Sequence, residues 1–346
     1  MNTVLTYLKA HWQALPLDRY GSPEKLTCVL VTPRFKTSSH ILFFVLAEGR
    51  RDPLLVAKVP RLAGDNGQLD REVGNLRRVQ ALQPGGFDSI PRVLAYEDYG
   101  GHRLLIETAV EGQPLRPDYV RQHPAEGIGP VTEWLIDFHR ASARPASEIS
   151  DWFERLVALP LAQLAGVFPE NAPEQPWIEA MREAVAPLRE ARFPLVFEHG
   201  DFSSPNILLG PERAVGVVDW ELAEAAGLPG SDIFFFLNFA AFSRSRARSN
   251  DQYLAAFREA FFGSSAWARP YVQDYCRGVG LEPRLLRPLF LLCWGRYVAN
   301  LVVRLQNSLN SNVNLAAESI TWLRENRYYL LWKHSLEHIS GLDFES

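Results

Sequence analysis

The chain has 346 residues, 47% of them hydrophobic and 22% charged, with a formal net charge of −4. This is ordinary globular usage, with apolar material for a sizeable core and length for about two domains, and it excludes a disordered or low-complexity chain. The slight acidity leaves no electrostatic footprint for nucleic acid, and three cysteines (Cys28, Cys276 and Cys293) without metal-ligand spacing exclude a disulfide framework. No apolar run is both long and clean enough to span a bilayer, and the first twenty residues hold no cleavable apolar core. The expectation is a cytoplasmic protein with neither a nucleic-acid nor a membrane partner.

In chain order, residues 33–40 form a polar connection containing Ser38 and Ser39, and residues 41–47 read as a core strand. Leu54-Leu55-Val56-Ala57-Lys58-Val59-Pro60 reads as a strand interrupted by one lysine, and an ammonium buried there requires an anion nearby. From Leu69 a helical pattern places Val73, Leu76 and Val79 on one face, bordered by Glu72, the expected partner of Lys58. Residues 90–96 and 102–107 read as two strands separated by a turn at Tyr99-Gly100-Gly101. Residues 131–140 have helical spacing, and residues 150–192 read as helical segments broken by Pro160, Pro169, Pro173 and Pro176.

Then comes the segment richest in chemistry, His199-Gly200-Asp201-Phe202-Ser203-Ser204-Pro205-Asn206, followed by two apolar runs around Gly210-Pro211 and by Asp219-Trp220-Glu221. The runs predict a β-hairpin that presents carboxylates at one mouth. Mg²⁺ takes oxygen ligands and keeps several waters, so Asn206 and Asp219 suffice as protein ligands. Asp201, five residues before Asn206, is the candidate base for an acceptor hydroxyl, with His199 as a loop support. Beyond Asp232 the chain reads as almost wholly helical, with many aromatics assigned to core packing. The basic cluster Arg244, Arg246 and Arg248 is read as a solvated loop.

The ordered set His199-Gly200-Asp201, Asn206 and Asp219-Trp220-Glu221 resembles the aminoglycoside phosphotransferase and choline kinase-like family. The resemblance implies an α+β, bilobal protein kinase-like fold. Residues 1–109 would form a nucleotide-binding lobe with a mainly antiparallel sheet, and residues 110–346 a helical lobe. It implies ATP and Mg²⁺ as cofactors and transfer of the γ-phosphoryl group to a small-molecule hydroxyl acceptor. Lys58 and Glu72 would serve the phosphates, and Ser38 and Ser39 would stand in for the glycine-rich loop that the chain lacks. The Glu107 carbonyl and Ala109 amide would receive adenine, with Ile106 behind it, and Asp232 would brace the catalytic loop. Ser203 stands where protein kinases carry a lysine, and only twelve residues separate Asp219 from Asp232, which argues against protein acceptors. An aminoglycoside, aminoalcohol, sugar or related metabolite stays open as acceptor, with Glu221 and Glu224 placed to attract a cationic one. The alternative is a catalytically silent nucleotide-binding module that acts through a partner.

Overall fold

The computed structural model describes residues 3–21, 23–32, 40–308, 317–342 and 344. The chain divides into two compact units, Met1–Pro114 with Asn206–Ala223, and Leu115–Pro205 with Glu224–Ser346.

The first unit is built on helices α1 (Thr3–His11) and α2 (Gly67–Gln80) and on strands β1 (Leu26–Val31), β2 (His40–Ala47), β3 (Leu55–Pro60), β4 (Val93–Tyr99) and β5 (His102–Thr108). The five strands form one antiparallel sheet in the order β1-β2-β3-β5-β4. Side chains alternate across a strand, so each face has its own cover. Leu55, Ala57, Leu104 and Ile106 bury against Val4, Tyr7 and Leu8 of α1. On the other face Leu105 packs against Leu69 and Val73 of α2. Lys58 lies opposite Leu105 in the register and therefore shares the α2 face.

A smaller three-stranded sheet completes this unit, pairing Ile207–Leu209 with Val215–Val217 and with Gln113–Pro114. This is the expected hairpin. Its strands are antiparallel with Ile207 opposite Val217, so Asn206 and Asp219 emerge at the same open end. The Val218 N–H donates to the Asn206 carbonyl at 2.9 Å and closes that end.

The second unit is mainly helical, with one small sheet of Arg144–Pro145, Pro194–Glu198 and Glu224–Gly227. Its core holds Phe257, Phe261, Phe290, Trp294 and Trp332, all fully buried, in keeping with the aromatic content of the C-terminal half. Among the described residues one helical stretch, Pro283–Val303, is long and apolar enough to cross a membrane. It packs as a core helix: Leu289, Phe290, Leu291, Leu292 and Trp294 are buried, and its Arg296 pairs with Glu198 at 3.0 Å.

Candidate active site

In the first unit the α2 face of the sheet carries a buried charge cluster. Lys58 is 3% exposed, Glu72 0% and Glu107 2%. The Lys58 ammonium donates to Glu72 Oε1, the pairing expected from the sequence, and lies 3.3 Å from Glu107 Oε1. Burial works against its charge, but the Glu107 and Glu72 carboxylates outweigh that cost and hold the ammonium above its ordinary value. One ammonium cannot neutralise two buried carboxylates. Burial, together with the Glu72 and Asp219 charges, pushes Glu107 up to about 8 even though Lys58 opposes it. Burial pushes Glu72 up as well, so both carboxyls hold a proton more readily than a free glutamate does.

The 219–223 segment is tied to this cluster by Asn75 of α2, whose side-chain amide donates to the carbonyls of Trp220 at 2.9 Å and Ala223 at 3.0 Å. Asp219 adopts a φ of 69°, a left-handed conformation that Asp tolerates better than most residues. Its Oδ1, Glu221 Oε2 and Glu107 Oε2 are buried without a hydrogen-bond partner among the described residues. Burial, then Asp219 and Glu72, push Glu221 up to about 7. His40, on the same sheet face as Lys58, stays neutral, because burial and the Lys58 charge push it down to about 4.

Four carboxylates thus gather around one ammonium, with oxygens left unpaired, an arrangement that calls for a further cation. Among the described residues, no group of three or more His, Cys, Asp or Glu side chains is arranged to hold a metal by itself. The donor set fits an ion that keeps most of its water, such as Mg²⁺.

In the second unit the loop of Asp201 hangs from one buried carboxylate. Asp232, in the first turn of helix Ser231–Ser245, accepts the His199 N–H at 2.7 Å and the Gly200 N–H at 3.0 Å. Its Oδ2 also lies 3.3 Å from His139 Nε2, while His139 Nδ1 meets the Tyr275 hydroxyl at 2.7 Å. Burial raises Asp232, but the hydrogen bond and charge of His139, with His199 behind them, hold it below the usual carboxylate value. The Asp201 N–H donates to His199 Nδ1 at 3.3 Å, so the imidazole supports the loop. Gly200 sits at a φ of 81°, which a side chain would resist. Phe202 is fully buried between the rings of Trp134 and Phe236 and anchors the turn from below. Ser203 and Ser204 then form part of the wall of a cavity of about 500 Å³ within this unit.

The sequence-derived candidates fall out unevenly. Lys58 and Glu72 meet directly, and Asn206 and Asp219 share one end of a hairpin. Ser38 and Ser39 lie outside the described residues. The Ile106 side chain points to the α1 side of the sheet, opposite Lys58. The Ala109 N–H, assigned to adenine, is spent on the Leu54 carbonyl at 3.2 Å, because strand pairing runs one residue past β5. A cavity of about 330 Å³ in the first unit is lined by Ala109 and Glu111 but not by Lys58. Glu107 brings its carboxylate to the cluster, not only its carbonyl. A glutamate closing the apolar run Leu104-Leu105-Ile106 was the available signal, and strand parity puts it on the face of Lys58. Glu224, offered as a lure for a cationic acceptor, is bound to Arg155 at 2.7 Å.

The model of the phosphotransferase enzyme family known as APH matches residues 38–271. The match covers more than half of the chain, and the protein belongs to that family. It is a small-molecule phosphotransferase with the protein kinase-like fold. No curated protein sequence matches the chain. Among solved structures, choline kinase LicA from Streptococcus pneumoniae is similar with a TM-score of 0.53 at 10% identity, over 95% of this chain and 99% of that one. The GDP complex of wild-type aminoglycoside 2′-phosphotransferase-IIIa gives 0.52 at 14% identity, over 95% of this chain and 98% of that one. At such identities the likeness is one of fold.

Proposed function

We propose that the protein transfers the γ-phosphoryl group of ATP to a hydroxyl of a small molecule with the help of Mg²⁺, in the cytoplasm. The observation that carries this reading is the buried Lys58, held by Glu72 and Glu107 next to an Asp219 whose carboxylate oxygen has no partner among the described residues. Lys58 is kept charged and aimed by its two carboxylates, so it presents a fixed cation to phosphate oxygens. Asn206 and Asp219 would hold Mg²⁺, which neutralises charge on the phosphates and on the departing diphosphate. Ser38 and Ser39 retain their assignment to the phosphates on sequence grounds. Asp201 accepts the acceptor's proton as the hydroxyl oxygen bonds to the γ-phosphorus, the bridging phosphorus–oxygen bond breaks and ADP leaves. The Asp232 bracing of His199 and Gly200 keeps that carboxylate in one place, which reduces the reorganisation needed at the moment of transfer.

The test is ADP release and labelled-phosphate transfer from Mg-ATP across a panel of hydroxyl compounds. Asp201→Asn should lower kcat by roughly a hundredfold to ten-thousandfold, the range of a general base, with ATP affinity retained. Transfer at the wild-type rate by that variant would remove Asp201 from the role. Tight Mg-ATP binding without transfer to any acceptor would instead identify a silent nucleotide-binding module.

A further inference from the structure

Resting on the phosphotransfer reading, we infer that the acceptor is an anion: a hydroxylated small molecule that carries a carboxylate or phosphate group, held by Arg121, Arg246, Arg248 and Arg327. These four side chains line the cavity of about 500 Å³ whose wall includes Ser203 and Ser204, and no Asp or Glu lines it. The base candidate Asp201 precedes those serines by two and three residues, so an acceptor seated there lies beside the catalytic loop.

Some arginines of the same unit are matched by carboxylates: Arg116 with Asp118, Arg140 with Asp137, Arg296 with Glu198 and Arg324 with Glu174. None of the four cavity arginines has an ion-pair partner among the described residues. They come from three places in the fold. Arg121 belongs to helix Pro117–Gln122, Arg246 caps helix Ser231–Ser245 at a φ of 53°, Arg248 follows it, and Arg327 opens helix Arg327–Glu337. Arg327 is further set by aromatic faces, with its guanidinium 4.9 Å from the Tyr328 ring and 5.0 Å from that of Tyr253. Four like charges brought to one concavity repel one another, and an anionic ligand relieves that repulsion. The planar guanidinium fork matches carboxylate and phosphate oxygens two at a time.

A polar group without a partner points the same way. Asn238 lines the cavity, is 1% exposed, and its Oδ1 has no hydrogen-bond partner among the described residues. A buried carboxamide left unpaired is costly, and a hydroxyl of the acceptor would satisfy it. The rings of Phe235, Phe242 and Tyr328 supply an apolar wall for the carbon skeleton. An aminoglycoside or aminoalcohol would meet four positive charges here, while the acid Glu224 is already neutralised by Arg155. Of the basic cluster read from the sequence as merely solvated, Arg244 stacks on Trp267 at 4.2 Å and only Arg246 and Arg248 reach the cavity.

The experiment uses the full chain with Mg-ATP and five probes: gluconate, glycerol phosphate, glucose, choline and kanamycin. Gluconate or glycerol phosphate should be turned over with kcat/KM at least about tenfold above the other three, and the advantage should shrink as salt is raised. The double charge reversal R246E/R248E, at two exposed positions, should raise KM for the anionic acceptor by about tenfold to a hundredfold, with a smaller change in kcat. Preferred turnover of choline, kanamycin or glucose would overturn the inference, as would an unchanged KM in the reversal variant. If no probe is phosphorylated, calorimetric binding decides. Binding of gluconate or glycerol phosphate that the reversal abolishes would sustain the anion site and sink the phosphotransfer reading, and absence of binding would sink the anion site itself.

Discussion

Replacing Glu107 by Gln should make the protein more stable at mildly alkaline pH. Glu107 shares one ammonium with Glu72, and in the folded state its carboxyl is pushed from the ordinary 4.5 up to about 8, first by burial. The unfolded chain ionises Glu107 near pH 4.5 and the folded chain only near 8, so the fold binds the extra proton between these values. A folded pKa raised in this way means full stability below the unfolded value and loss as pH climbs through the folded one. Each pH unit costs about 1.4 kcal/mol, which puts the full penalty above pH 8 on the order of 5 kcal/mol. Glutamine has the size of a protonated glutamate, keeps an oxygen for Lys58 and cannot ionise, while the Lys58–Glu72 pair persists. Thermal melts of both proteins from about pH 5 to 9 should converge at the acid end, with the variant several degrees higher at the alkaline end. Parallel profiles, or a variant less stable at alkaline pH, would refute the raised Glu107 carboxyl.

Two further substitutions probe the remaining parts of the site. Asp219→Asn preserves a residue that tolerates the left-handed backbone but weakens the proposed metal ligand, so kcat should fall by about a hundredfold or more and the Mg²⁺ concentration for half-maximal rate should rise; an unchanged Mg²⁺ titration would exclude Asp219 as a ligand. Asp232→Asn removes one of two oxygens that accept the His199 and Gly200 N–H groups and should cost about 1–3 kcal/mol at neutral pH. The folded carboxyl is held below its ordinary value of 3.8, so the contribution is present above that value and disappears as pH falls through the lower folded one. Urea midpoints of wild type and variant should therefore approach each other in acid, and a gap independent of pH would contradict the ionised brace.

Much of the site is legible in the amino-acid sequence because some constraints are local. The spacing of Asn206 and Asp219 across a short hairpin is set by antiparallel register alone, and the strands at 207–209 and 215–217 follow from two apolar runs around a Gly-Pro turn. The need of Lys58 for an anion follows from the cost of burying an ammonium, and Glu72 is an acid that borders an apolar helical stripe. The order of these residues also suffices to mark a phosphotransferase.

What the tertiary structure alone decided is everything that depends on which face is covered and on what lies far away in sequence. Alternation says that Ile106 and Glu107 point to opposite sides, but only the placement of α1 and α2 reveals that Glu107 joins Lys58 and Ile106 turns away. Whether the Ala109 amide is free depends on how far β3 and β5 stay paired, which no residue pattern at 108–111 announces. That residues 206–223 pack with the first unit, although they follow ninety-one residues of the second, is likewise a matter of long-range contact. The cavity of arginines without an ion-pair partner among the described residues is the clearest case, since Arg121, Arg246, Arg248 and Arg327 are scattered over some two hundred positions and come together only when distant helix ends converge. Spacing encodes chemistry within a loop or hairpin, whereas the sign of a pocket built from several elements is a property of the fold.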